Sequence, residues 1–309
     1  MQQTRAIDHL QEWVGKNAPL LGVHDFSIKF ALYDSSDSRP CAIVGGSDGS
    51  YSVLISQSYT NIFPMCLRYF ALVQHGLRPP KVEELDQHTI FLANCLNESC
   101  LYWLTLHEIA HIARNHCDWA RQRYGATEIR NSHDTTASTL TIGVRQALEY
   151  QADSFAATRT LELFDPKFAF IGTNTETFRP NAFTMLGMAA TLMLDFLSVG
   201  KSMKIDESGE SDYPHVAVRW KTSCLSMLRR KMAYAGENAE DWIRGAIIAK
   251  DFLSKFAKAG GVATHWADIP DDTTNNHCES LRSRSLELLS DTPYRYGDVM
   301  TLAEPAFLQ

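Results

Sequence analysis

The run His107-Glu108-Ile109-Ala110-His111 constrains this chain more than any other feature. Two histidines four residues apart share one face of an α-helix, so both imidazoles can reach a single metal ion if the segment is helical. Glu108 follows the first histidine and can approach a water on that ion without being a ligand. Two neutral imidazoles, a Lewis acid and a carboxylate able to take a proton from water are the parts that zinc-assisted hydrolysis needs. The neighbours fit a buried helix beside a metal: Leu101-Tyr102-Trp103-Leu104 and Ile109-Ala110 are apolar or uncharged.

A catalytic zinc keeps three protein ligands and one open position. His116 is a poor third ligand on a continuous helix. At about 100° per residue it points roughly 180° from His107 and 140° from His111. No glycine between His111 and His116 would bend the chain back. His116 is therefore expected to be structural or to stand behind the ligands. Glu149-Tyr150-Gln151-Ala152-Asp153 offers a better candidate. Glu149 and Asp153 are again one helical turn apart, and the small Ala152 and Ala156 permit close helix packing. Glu149 completes a His₂Glu set, and Asp153 can accept the second ring N–H of a ligand histidine and fix its tautomer.

The rest of the chain reads as α+β, mainly helical. Phe26, Ile28, Phe30 and Leu32 alternate with Ser27, Lys29 and Ala31; Ala42 to Val44 is a second strand; Tyr51, Val53 and Ile55 follow the turn Ser47-Asp48-Gly49. This predicts a small N-terminal antiparallel β-meander over 22–57. Helices are expected over 62–73, 82–94, 97–117, 138–163 (ended by Asp165-Pro166), 182–199, 214–233, 239–259 and 278–289, with a loop at 126–138. The organisation that follows is one catalytic unit over 1–235 and a C-terminal helical extension over 236–309 packed on the same core.

Composition excludes several classes. A formal net charge of −7 argues against a broad basic footprint for nucleic acid. Seven cysteines, an odd number with no C-x-x-C pair, fit a reducing compartment. Met1 to Leu10 lacks an apolar signal-peptide core, so a cytoplasmic protein is expected. Ala182 to Val199 is the most membrane-like stretch, but it carries Asp195 and is barely long enough to span; a buried helix is expected there.

Taken together, His107-Glu108-x-x-His111, His116 and Glu149-x-x-Ala152-Asp153 resemble the gluzincin metallopeptidases of the HtpX and CAAX-protease type. The resemblance implies a zincin-type helical core, zinc held by His107, His111 and Glu149, and Glu108 as general base. A further element of those families, His-Pro followed by an arginine on a later helix, is similar to Tyr213-Pro214-His215-Val216-Ala217-Val218-Arg219. Pro214 and Arg219 match, Tyr213 stands where the family has histidine, and His215 lies two residues on. Any of Tyr213, His215 and Arg219 is a candidate to stabilise an oxyanion. The layout over 22–235, without several hydrophobic spans, resembles the Lit-type phage-exclusion peptidases. It implies a zinc-dependent endopeptidase acting on an intracellular protein in bacterial phage defence.

Two rival readings accompany this one. A non-catalytic zinc-containing binding or sensor protein would give Glu108 no task, and a membrane-associated processing protease would rest on Ala182 to Val199. The expected partner is a protein or peptide substrate, pairing with the strand edge of Tyr51 to Gln57 unless that strand serves only sheet packing. A protease open at all times would damage its own cell. Latency relieved by a protein activator is therefore expected, with Lys201 to Asp212 either a gate or a plain connector.

Overall fold

A computed structural model of the protein describes residues 8, 10–12, 14–16, 27–33, 42–47, 49–57, 62–75, 85–126, 128–130, 140–168, 187–194, 215–235, 247–248, 250–251 and 271–291. The strands are β1 (Ser27–Tyr33), β2 (Ala42–Ser47), β3 (Ser50–Ser56) and β4 (Glu128–Arg130). The helices are α1 (Ile62–His75), α2 (Gln87–Ala113), α3 (His116–Tyr124), α4 (Ile142–Phe168), α5 (Val216–Ala235) and α6 (Asp271–Asp291). The class is the expected one, α+β and mainly helical.

Helix α2 is the centre of the molecule. It opens on Asp86, whose carboxylate accepts from Thr89 N–H at 2.6 Å and satisfies one of the free donors of the first turn. Every residue from Ser99 to Ala113 is buried. A helix covered on all sides carries no polar stripe, because neighbours cover its whole circumference. Helix α1, helix α4 and strands β2 and β3 supply that cover. The expected helices 82–94 and 97–117 are thus one helix from Gln87, and it stops at Ala113 rather than Cys117. Asn115 adopts φ 60°, the left-handed conformation, and a new helix starts at His116. Asparagine is one of the few side chains that tolerate this region, so the chain turns without glycine.

The sheet order is β1-β3-β2-β4. β2 and β3 form the expected hairpin: Ser47 pairs with Ser50 across the two residues Asp48-Gly49, and Gly49 has φ 85°. Gly46, at φ 125°, lies so close to the Ser50 carbonyl that a Cβ there would collide with it. Two features depart from the expected meander. β1 pairs parallel with β3 rather than with β2, and β4 adds a fourth strand, antiparallel to β2, inside the expected loop 126–138. Alternation dictates which face a strand buries, not which neighbour it takes. Tyr51, Val53 and Ile55 are fully buried, whereas β1 buries only Phe30, so β3 is central and β1 an edge. The expected substrate-pairing edge at Tyr51 to Gln57 is corrected accordingly, because β3 is hydrogen-bonded on both sides.

Helix α4 runs past Asp165-Pro166 to Phe168, so the proline falls in its last turn and does not end it. Ala152 and Ala156, both with no exposed surface, share the face of α4 that carries Glu149 and Asp153, so α2 and α4 approach closely. Helices α5 and α6 pack on α4 and on each other. Val218, Cys278 and Leu281 form a small second cluster between them, with Tyr150 against it. Residues 187–194 are helical and entirely buried. Trp220 Nε1 donates to Thr191 Oγ1 at 3.1 Å there, and Cys100 Sγ lies 3.8 Å from Ala189 O. Among the described residues no helix is long and apolar enough to cross a membrane.

Candidate metal centre

Helix α2 brings His107 and His111 to one face, and α4 crosses that face with Glu149 and Asp153. One ligand atom each from His107, His111 and Glu149 can lie within 4.8 Å of one another, and all three residues are buried. His107 Nε2 is 3.1 Å from Glu149 Oε2, and His111 Nε2 is 3.7 Å from Glu149 Oε1. These three residues could hold a metal ion. The other side of His107 is fixed by Asp153, whose Oδ1 lies 2.9 Å from Nδ1. A carboxylate only accepts, so Asp153 favours a proton on Nδ1, and an ion taking the place of the proton that Glu149 favours on Nε2 would meet the lone pair there. Trp103, one turn earlier on α2, stacks on the His107 ring at 5.6 Å between centroids.

Asp153 is in turn clamped by Arg219 of α5. Arg219 Nε donates to Oδ2 at 2.7 Å and Nη2 to Oδ1 at 2.8 Å, and Nη2 also lies 3.3 Å from Glu149 Oε2. Nε and Nη2 of the guanidinium thus engage the two carboxylates. His215 begins the segment that leads into α5, where its Nδ1 accepts from Ala217 N–H at 3.2 Å. The ring proton therefore sits on Nε2, which is a donor. His215 stands one turn before Arg219 and shares its side of α5. Tyr213 and Lys201 to Asp212 lie outside the described residues.

The turn at Asn115 brings His116 back onto His111. The two Nδ1 atoms are 3.0 Å apart, and His116 Nε2 is 2.6 Å from Gln151 Oε1. The helical projection that sends His116 away from the histidines fails because the helix ends at Ala113. Sequence reasoning missed Gln151. It sits inside the Glu149-to-Asp153 run, but at the second position after Glu149 it points off the shared face. Tyr51 was also missed: its hydroxyl donates to buried Asp118 Oδ2 at 2.7 Å and ties β3 to α3. Asn115 immediately before a histidine is the one local signal that a left-handed turn was available.

The electrostatics fit a cation. Three buried carboxylates, Glu108, Glu149 and Asp153, face one buried guanidinium, Arg219. Burial opposes charge on His107, yet Glu149 and Asp153 outweigh it and lift its pKa to about 10, so the site draws in positive charge. Burial likewise pushes Glu149 and Asp153 up. His107 and Arg219 respectively outweigh that and hold both below the usual carboxylate range. Burial pushes Glu108 up to about 8 and holds His111 well below its ordinary value. Burial takes His116 down to about 3. Neither carboxylate oxygen of Glu108 has a hydrogen-bond partner among the described residues. A buried carboxyl with no partner is costly unless something completes it.

The family profile described as peptidase U49, a Lit-like peptidase family, matches residues 65–238, more than half of the chain. That span holds His107, Glu108, His111, Glu149, Asp153 and Arg219, and it ends before α6 begins. Neither the curated proteins nor the solved structures gave a match.

Proposed function

The chain belongs to the peptidase U49 family, and on that premise we propose that it is a zinc-dependent endopeptidase of the gluzincin kind. The observation that carries this reading is the convergence of His107, His111 and Glu149 beside Glu108, whose buried oxygens are unsatisfied. Two imidazoles and a carboxylate are a donor set that zinc accepts with a position left open. When bound, the zinc supplies Lewis acidity that acidifies water and polarises the scissile carbonyl.

The remaining work falls to the side chains. Glu108 accepts a proton from water as the water oxygen attacks the carbonyl carbon. It then delivers that proton to the amide nitrogen as the C–N bond breaks. Its upward shift suits a group that must both take and give a proton near neutral pH. Asp153 holds the His107 ring, and Arg219 holds Asp153. With Nε and Nη2 of Arg219 engaged by Asp153 and Glu149, we assign the hydrogen bond to the developing oxyanion to His215 Nε2–H, with Tyr213 and Arg219 Nη1 as the alternatives; such a contact is worth roughly 3 kcal/mol.

The substrate class of the reading is an intracellular protein, cleaved in the cytoplasm during phage defence. What supports it is the layout resemblance to Lit-type peptidases. Restraint by a protein activator belongs to the same reading. The test is to express wild type and Glu108→Gln in bacteria and to compare new protein termini by mass spectrometry, with zinc content measured on each purified chain. Termini unique to wild type, with equal zinc in both, are expected. Identical termini with full zinc would make this a zinc-binding protein without protease activity.

A further inference from the structure

Helix α6 lies outside the span matched by the family profile, yet it reaches the metal centre through two side chains. We propose that Gln151, held by the backbone carbonyl of Ser285 on α6, sets the ring tautomer of His111 through His116. This makes the C-terminal helix a positioning element of the centre. The inference rests on the ligand assignment proposed above.

From Ser285 inward to His111, each hydrogen bond has one solution. Ser285 O is a carbonyl and can only accept. The Gln151 atom 3.1 Å from it is therefore the amide nitrogen. The other end of the amide, Oε1, faces His116 Nε2 at 2.6 Å. An amide oxygen also only accepts, so His116 Nε2 carries a proton. His116 is buried, and its side-chain partners among the described residues, Gln151 and His111, bring no negative charge, so the ring stays neutral. A neutral imidazole holds one N–H, which leaves Nδ1 of His116 an acceptor. His111 Nδ1, 3.0 Å away, must then be the donor. With Nδ1 protonated, the nitrogen that His111 can offer an ion is Nε2, on the side of Glu149. The opposite tautomer of either ring would set two N–H groups or two lone pairs against each other in a buried site.

The two candidate ligands thus present the same nitrogen by different means. His107 is oriented by a carboxylate, Asp153, itself clamped by Arg219. His111 is oriented by an uncharged chain that ends on the backbone of α6. Ser285 is held in place there: it is buried, and its own hydroxyl donates to Arg282 O at 3.1 Å. Neighbouring Arg284 reaches Gln146 on α4 at 3.4 Å. Gly143 lets that contact form, because a Cβ there would sit 2.9 Å from Arg284 Nη1.

The test uses the full chain and two readouts. The first is nitrogen-15 spectroscopy of the histidine rings in the metal-free and zinc-loaded wild type. Protonated Nε2 on His116 and protonated Nδ1 on His111 are expected; a proton on Nδ1 of His116 overturns the proposal. The second is zinc affinity by chelator competition in wild type, Gln151→Leu and Gln146→Leu. Loss of an outer contact to a ligand histidine weakens metal binding roughly 10–100-fold, and that is the effect expected of Gln151→Leu. Gln146→Leu also disturbs the α4–α6 contact but touches neither His116 nor His111, so its affinity should match wild type. Equal affinities in Gln151→Leu and wild type, or equal losses in both variants, would overturn the proposal. Failure of the wild type itself to bind zinc would instead remove the zinc reading. The ring protons of the metal-free wild type would then decide the tautomer proposal alone, as they would if Gln151→Leu failed to fold.

Discussion

Arg219 grips Asp153 with two parallel hydrogen bonds, 2.7 and 2.8 Å long, and neither side chain is accessible to water. The pair spans α5 and α4 and stands directly behind His107. Breaking a buried ion pair from one side leaves the other charge uncompensated, at about 3–5 kcal/mol. Arg219→Met should lower the unfolding free energy by that order and weaken zinc binding. Arg219→Lys should recover little, because an ammonium cannot reproduce the two-pronged geometry. Urea denaturation with and without zinc reads both effects. Full stability in Arg219→Lys would show that charge alone suffices.

Glu149 and His116 should separate by metal affinity. Glu149 stands among the candidate ligand atoms, whereas His116 meets the site only through His111. The purified chain should hold about one zinc. Glu149→Ala should weaken binding well beyond the roughly 10–100-fold expected for His116→Ala. Chelator titration followed by elemental analysis gives the order, and the reverse order would make His116 the ligand.

Glu108 gives the metal-free protein a pH dependence. Its carboxyl rises from 4.5 unfolded to about 8 folded, chiefly through burial. Below pH 4.5 the group is protonated in both states and costs nothing. As pH climbs, the unfolded chain releases its proton while the folded chain keeps it, so the folded state loses stability until its own carboxyl ionises near 8. Each unit is worth about 1.4 kcal/mol. Glu108→Gln removes the penalty. Urea midpoints of the metal-free wild type and variant should coincide near pH 4.5 and separate up to pH 8, with the variant more stable. Parallel curves would mean that Glu108 is paired or solvated.

Asn115 should be replaceable by glycine and by little else. Its φ of 60° costs most side chains about 1–2 kcal/mol. Asn115→Gly should keep stability and zinc affinity, whereas Asn115→Val should lose both, because the turn aims His116. Thermal unfolding and metal titration of the two variants are the check, and a fully stable Asn115→Val would deny the turn its role.

The ligand candidates were legible in the sequence because each is local. His107 with His111, and Glu149 with Asp153, are one helical turn apart, and helical spacing alone puts each pair on a face. The strands Ile28–Leu32 and Tyr51–Ile55 were legible for the same reason at period two. What periodicity does not carry is the meeting of faces. The place of β1 beside β3, the strand β4 and the reach of Gln151 to both His116 and Ser285 depend on segments distant in sequence. The turn at Asn115 was hidden differently. The apolar pattern of α2 continues into Cys117 and Trp119, so burial on both sides of the turn masks the break. Arg219 was found through a family motif, but its grip on Asp153 emerges only when α4 and α5 are packed together.

The central position of β3 also ranks the pairings of the sheet by the length of chain each one closes. The β2–β3 ladder closes across two residues, and hairpins of this kind form within microseconds. β1 pairs with residues 23 positions further along the chain and has no edge to join until β3 exists. β4 joins from further still, with Ile129 opposite Val44. The stretch between those two residues contains all of α2 and α3, so that long loop must close before the outer ladder forms. The β2–β4 ladder is therefore the longest-range pairing of the sheet, and the helix bearing both histidines lies inside the loop that it closes.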